Sequence, residues 1–116
     1  MANIKKGTVM VFNHNYIGDD KTLGEILIKS FVAVLAERAE LPETMIFYNS
    51  AVKLMVEEGQ VLDDLKTLEK NGVEILGCGT CLGHYEMKEK IGVGKVSNMY
   101  AIVDKQMDAQ KVLYPC

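Results

Sequence analysis

What the chain lacks narrows the field first. Its longest apolar stretch, Leu23–Ala39, is interrupted by Glu25, Lys29, Glu37 and Arg38. That falls short of the roughly 20 predominantly apolar residues a spanning helix needs, so no membrane segment is predicted. There is no basic excess either: 13 Lys and Arg stand against 16 Asp and Glu, for a net charge of −3. A nucleic-acid groove wants clustered positive charge to displace counterions, so nucleic acid is excluded as a partner. The N-terminus, MANIKKGTVMVF, holds no apolar region ending in a small-residue cleavage site, and no signal peptide is read. Repeats, low-complexity tracts and linkers are missing, so residues 1–116 are expected to form one domain. Cysteines number three. An odd count without an export signal predicts free thiols in the reducing cytoplasm.

What remains is an ordinary globular composition, 48% apolar and 25% charged, enough to bury a core without staples. Apolar runs alternate with helical patterns along the whole chain. Thr8–Asn13 (TVMVFN), Met45–Tyr48 (MIFY), Val73–Leu76 (VEIL), Lys95-Val96 and Lys111–Tyr114 (KVLY) read as five short strands, β-branched or apolar without a 3.6 period. Thr22 and Glu25 form a T-x-x-E capping box before a helix striped by Leu23, Ile26, Leu27, Phe31, Val34 and Leu35. Pro42 closes the linker after it. A short helix follows Asn49-Ser50, another covers Val61–Lys70 and stops at Asn71-Gly72, a third covers Leu82–Lys90, and Ser97 caps the last over Asn98–Met107. Strand–helix–strand units of this size imply right-handed crossovers, a mostly parallel sheet and helices on both faces: a three-layer α/β/α domain.

In such sheets ligands sit beyond the carboxyl ends of the strands, where the strand order reverses. That rule selects the loops Asn13–Asp20, Asn49-Ser50 and Gly77–Cys81, and so brings His14, Asn49, Cys78 and Cys81 to one rim. Cys78-Gly79-Thr80-Cys81 is a C-x-x-C at a strand-to-helix junction. A thiol reacts as its thiolate, which the unpaired N–H groups of a helix start favour, and Gly77 and Gly79 let the backbone bend closely. The bland reading is two small side chains filling a turn.

Three chemistries fit the pair. One thiolate accepts a sulfur or selenium atom as a persulfide and the other releases it. Alternatively, the two form a thioredoxin-like dithiol; but that fold places its C-x-x-C after the first strands and opposes it with a cis-proline, and the later proline available here is Pro115. Metal is the third: Cys78, Cys81 and His84 give C-x-x-C-x-x-H, with His14 or Cys116 available as a fourth ligand. His14, after the first strand, is placed to donate a proton near neutral pH. Asp19 and Asp20 already complement the first helix start and oppose a phosphate there. Gly92-Val93-Gly94-Lys95 lacks the spacing of a phosphate loop and reads as a turn, and Cys116 as a terminal thiol.

The run GCGTCLGHYEMKEKIGVGKVSNMYAIV (Gly77–Val103), with VMVFNH, GDD-x-x-LGEILIKSF, LPETMIFYNSAVKL and LDDLKTLEKNGVEILGCGTCL before it, resembles the DsrE/DsrF-like sulfur-relay superfamily. Within it the chain is most similar to the C-terminal domain of the YedF-type, sulfurtransferase-like proteins of selenium metabolism. The resemblance implies a DsrE/F-like fold of flavodoxin-like topology with a five-stranded sheet, homo-oligomeric assembly and no cofactor. It also implies a persulfide-carrying cysteine at the end of the third strand, where Cys78 falls, and a second cysteine of the CGTC pattern, Cys81, as resolving thiol. A TusA-like sulfur carrier or a cysteine desulfurase is the implied partner. YedF-type proteins place a TusA-like domain before this one, and these 116 residues do not contain it. The residue-level alternative is a non-catalytic oligomeric module binding a small ligand or partner peptide.

Overall fold

In the computed structural model, which describes residues 2–116, every apolar run becomes a strand and each of the first four leads into a helical segment. The order is β1 (Asn3–Phe12), α1 (Lys21–Glu37), β2 (Glu40–Phe47), a 3₁₀ helix (Asn49–Met55), α2 (Gln60–Lys70), β3 (Glu74–Cys78), α3 (Gly79–His84), β4 (Lys95–Ser97), α4 (Met99–Asp108) and β5 (Lys111–Leu113). The five strands lie in the order β4-β3-β2-β1-β5, and every pairing is parallel. This is the predicted three-layer α/β/α fold.

The winding follows from the handedness of the crossovers. From β1 to β4 the chain steps across the sheet in one direction, so right-handed connections stack α1, the 3₁₀ helix, α2 and α3 on one face. The step from β4 back past β1 to β5 runs the other way and puts α4 on the opposite face. In flavodoxin's own order, 2-1-3-4-5, the reversal lies near the first strand; here it lies between β3 and β4. Alternation along the strands divides the core accordingly. Met10, Phe12, Met45, Phe47 and Ile75 pack with Ile28, Val32, Leu65 and Leu82 of the helix-rich face. Val9, Val11, Ile46 and Cys78 pack against Ile102 of α4. Near the carboxyl ends of the central strands the Phe12 and Phe47 rings stack at 5.1 Å, with Phe31 edge-on to Phe12 at 6.0 Å. Each such side chain contributes roughly 1.5–3 kcal/mol on leaving water, so the floor beneath the rim is among the better-anchored parts of the domain.

Several boundaries differ from the sequence reading. β1 begins at Asn3, because Ile4 and the charged Lys5 still pair with Leu41 and Pro42; a bulge between Lys5 and Val9 is absorbed at Gly7, φ +82°. Pro42 is buried inside β2 rather than in a linker. It is tolerated because β2 meets β3 only from Thr44 onward, so the missing N–H falls where the strand has one neighbour. The α1 cap is Asp20, whose carboxylate accepts from the Leu23 N–H at 3.0 Å, and Thr22 lies inside the helix. Asn98 rather than Ser97 caps α4, accepting from Ala101 N–H at 2.9 Å. The third helix ends at His84 instead of Lys90. Glu86 adopts φ +57°, Met87 N–H bonds Leu82 C=O at 2.8 Å and Glu86 N–H bonds Gly83 C=O at 3.0 Å, which is a Schellman stop with glutamate where glycine is usual.

Candidate functional site

Adjacent strands whose outgoing connections leave to opposite faces open a crevice between their carboxyl ends. β3 feeds α3 on one face and β4 feeds α4 on the other, and Cys78 and Ser97, the last residues of the two strands, are register partners. Cys78 therefore stands at the reversal. Its side chain is turned to the α4 face and only 3% exposed. Three residues on, Cys81 comes back over it in the first turn of α3, half-buried and packed against both core clusters. Cys81 thus packs beside Cys78, and all three cysteines are free thiols.

Two glycines make that approach possible. A Cβ on Gly79 would stand 2.9 Å from the Ser97 carbonyl oxygen, and one on Gly77 would stand 2.6 Å from Met55 Sδ. The first contact is with fixed backbone, so α3 can start against β4 only because residue 79 has no side chain.

The loop after β2 supplies the next contact. Asn49, a non-glycine residue at φ +50°, donates its backbone N–H to Cys81 Sγ at 3.0 Å. Its own carboxamide oxygen accepts from Ser50 N–H at 3.0 Å, which holds the left-handed turn that aims the N–H. Ser50 Oγ in turn accepts from Asn15 N–H at 3.1 Å, tying in the loop after β1. Burial pushes the Cys81 thiol above its ordinary value; the Asn49 N–H works against that, and the neighbouring Cys78 adds to the rise.

A second set of polar contacts borders the sulfurs from the α4 side. Tyr48, the residue before Asn49, packs against the cluster that contains Cys78 and Cys81. Gln106 of α4 donates Nε2–H to Tyr48 Oη at 2.9 Å, and Tyr114, just past β5, donates its hydroxyl to Gln106 Oε1 at 3.0 Å. Tyr48 Oη also lies 4.0 Å from Met99 Sδ. Burial raises the Tyr48 phenol, the Gln106 bond opposes this, and Cys78, Tyr114 and Cys81 reinforce the rise.

The structure thus joins Asn49, Cys78 and Cys81 in one contact set. His14 shares the rim but is exposed; its ring stacks on Tyr16 at 5.1 Å, and its carbonyl accepts from Cys116 Sγ at 3.6 Å. His84 is exposed and lies edge-on to Tyr85 at 5.0 Å. Among the described residues no three His, Cys, Asp or Glu side chains converge on a metal position, so the C-x-x-C-x-x-H spacing does not become a ligand set. The sequence reading passed over Tyr48, Gln106 and Tyr114. The one signal that pointed near them was Tyr48's place at the end of the second strand. A groove of about 670 Å³ lies elsewhere, between α1 and the β1–β5 edge, lined by Met10, Leu27, Phe31, Val34 and Leu113 among others and by no cysteine. Its lining lacks the thiols, so size alone does not make it the reactive site. No helix among the described residues is long and apolar enough to cross a membrane.

Fold and site together define a class: a small parallel α/β domain presenting a vicinal dithiol where the winding reverses. The DsrE/DsrF-like family model matches residues 29–115, and the chain belongs to that family. Solved structures share the fold at low identity. The ychN protein from E. coli is 17% identical with a TM-score of 0.63, over 98% of this chain and 99% of that one. MTH1491 from Methanobacterium thermoautotrophicum, a protein of unknown function, is 18% identical with a TM-score of 0.64, over 97% and 99%. BT1422 from Bacteroides thetaiotaomicron, a conserved protein of unknown function, is 16% identical with a TM-score of 0.64, over 93% and 94%. No curated protein matches the chain.

Proposed function

We propose that this domain is a sulfurtransferase-like sulfur or selenium carrier that works through the Cys78–Cys81 pair. The observation that carries the reading is the juxtaposition of two free thiols at the reversal, Cys81 packed against the cluster that holds Cys78 and receiving the Asn49 N–H. Family membership supports it, since the superfamily the sequence resembles serves sulfur relay. Cys78 holds the position of the persulfide cysteine there, and Cys81 is the resolving thiol. A persulfide on Cys78 has two exits. A partner thiolate attacks the outer sulfur and takes it, or the Cys81 thiolate attacks the Cys78 sulfur, forms the disulfide and expels the outer atom.

Burial favours a second order of events. Cys78 is 3% exposed while Cys81 is half-buried, so a donor approaching from solvent meets Cys81 first. On this reading Cys81 accepts and Cys78 resolves from beneath. The CGTC pattern and its resemblance to YedF-type domains support selenium metabolism as the setting, a cysteine desulfurase or TusA-like carrier as partner, and a cytoplasmic location that keeps the thiols reduced. His14 serves as proton exchanger at the rim.

Self-association is a further part of the proposal. α4 turns Met99, Tyr100, Val103 and Met107 outward in one exposed stripe, the kind of contiguous apolar surface that marks an interface. A single monomer peak in light scattering at micromolar concentration would remove that part.

The test of the carrier is intact-mass spectrometry after incubation with a cysteine desulfurase and cysteine. The wild type should gain about one reducible sulfur per chain. Loss of the adduct in Cys78→Ser alone supports the first order of events, and loss in Cys81→Ser alone supports the second. No adduct on any cysteine, with a control acceptor labelled in parallel, leaves the non-catalytic binding module as the better account.

A further inference from the structure

Expelling sulfide from a persulfide raises a problem that the two cysteines do not solve. The outer sulfur of a persulfide is already anionic near neutral pH, and on leaving it gains the electron pair of the broken bond. A bare sulfide dianion is a very poor leaving group, so a proton must reach the outer sulfur as the bond breaks. Neither thiol can supply it, because one must be a thiolate to attack and the other is in the persulfide bond.

Tyr48 is a hydroxyl-bearing side chain beside the two cysteines. It immediately precedes Asn49, whose N–H touches Cys81 Sγ, and, like Cys81, it packs against the cluster that holds Cys78 and Ile102. Its hydroxyl oxygen already accepts from Gln106 Nε2 at 2.9 Å. A hydroxyl has one hydrogen and two lone pairs, so this bond occupies a lone pair and leaves the O–H free to point away from Gln106. The other partner within reach is Met99 Sδ at 4.0 Å, a long contact to a weak acceptor that an anionic sulfur would readily displace. Gln106 is itself fixed by Tyr114 Oη at 3.0 Å, so α4 and the residue after β5 both brace the phenol.

We infer that Tyr48 is the proton donor to the departing chalcogen, with Gln106 and Tyr114 as its positioning residues. The inference rests on the carrier reading and holds for either order of the two cysteines. In the step, the resolving thiolate attacks the inner sulfur of the persulfide. The Cys78–Cys81 bond forms and the bond to the outer sulfur breaks, its electron pair leaving on that atom. The Tyr48 proton converts it to hydrosulfide, and the phenolate recovers a proton from water. The two cysteine sulfurs are together oxidised by two electrons and the sulfane sulfur is reduced by two; an external thiol then reopens the disulfide. The groups facing the phenol are Cys78, Cys81 and Tyr114. Burial and those neighbours keep it protonated, as a donor must be.

The test measures hydrosulfide release per loaded chain between pH 6 and 9 for wild type, Tyr48→Phe, Gln106→Leu and, as control, Tyr85→Phe just past α3. General acids contribute about 10²–10⁴-fold, and water replaces part of that. Tyr48→Phe should therefore release roughly ten- to a hundredfold more slowly at pH 8, the deficit narrowing toward pH 6 as solvent protons take over. Gln106→Leu should move the same way by less, and Tyr85→Phe should match wild type. Release by Tyr48→Phe at the wild-type rate, or a deficit equal at every pH, overturns the assignment. If the wild type takes up no sulfur, the carrier reading fails, and iodoacetamide alkylation across pH 6–10 decides Tyr48 separately. Removing a hydroxyl able to donate to the thiolate should raise the midpoint of the Cys81 profile in Tyr48→Phe. An unmoved midpoint shows that the phenol does not serve the thiols.

Discussion

Gly79→Ala and Gly83→Ala replace two glycines four residues apart in α3 and should shift stability in opposite directions. A Cβ at residue 79 would lie 2.9 Å from the Ser97 carbonyl oxygen and 3.4 Å from Val96 Cγ1. Ser97 is held in the ladder opposite Cys78, so the strain must be relieved by moving α3 away from β4. Overpacking of this kind costs about 1–3 kcal/mol, against which alanine gains up to about 1 kcal/mol over glycine in a helix. The net is a loss of roughly 1–2 kcal/mol, or about 4–8 °C in Tm for a domain of this size. At residue 83 a Cβ meets only the flexible end of Lys88, its Cε at 3.2 Å, so the propensity gain is kept and Tm should hold or rise. Thermal unfolding followed by circular dichroism reads both. Gly79→Ala as stable as wild type, or both variants shifting alike, would refute the claim that the cysteine turn depends on a close α3–β4 approach.

Asp20→Ala should cost about 1 kcal/mol of stability and Thr22→Ala less than about 0.5, since Asp20 caps α1 and Thr22 does not; chemical denaturation separates them. Asn49→Ala should lose about 1 kcal/mol, because alanine at φ +50° is strained and the Ser50 bond goes, while Asn49→Gly loses the bond without the strain and falls between alanine and wild type. Burial raises the Glu74 carboxyl, but Lys105 at 3.0 Å and Lys95 at 3.5 Å outweigh it and hold it below its ordinary 4.5. A lowered carboxylate stabilises the fold above its unfolded pKa and ceases to do so as pH falls through the folded one. Glu74→Gln should therefore cost about 0.5–1 kcal/mol at pH 7, a difference that disappears by about pH 3. In brief exposure to iodoacetamide at pH 8, peptide mapping should find Cys81 and Cys116 modified at least about tenfold before the buried Cys78.

The sheet was legible because its central strands are short apolar runs separated by turn residues, and because crossover handedness leaves few windings for such a chain. The rule that ligands gather at the carboxyl ends of the strands places Asn49 beside the C-x-x-C from sequence alone, and the 3.0 Å bond to Cys81 fits that placement. Features hidden from the sequence are those set by tertiary context. Lys5 pairs as strand although it is charged, Pro42 sits in a strand at a one-neighbour position, and Glu86 stops a helix where no glycine marks the end. Tyr48, Gln106 and Tyr114 come from three separate elements with no common spacing, and only the return of the chain from β4 to β5 across the opposite face unites them.

The most direct test of the central claim is the balance sheet of a single release. Wild-type protein loaded with one sulfane sulfur and freed of excess donor is left to discharge without reductant, and hydrosulfide and disulfide-linked peptides are counted together. The dithiol account predicts one Cys78–Cys81 disulfide for each hydrosulfide released. Hydrosulfide released with both cysteines still reduced, or a disulfide that joins Cys116 instead, would contradict it.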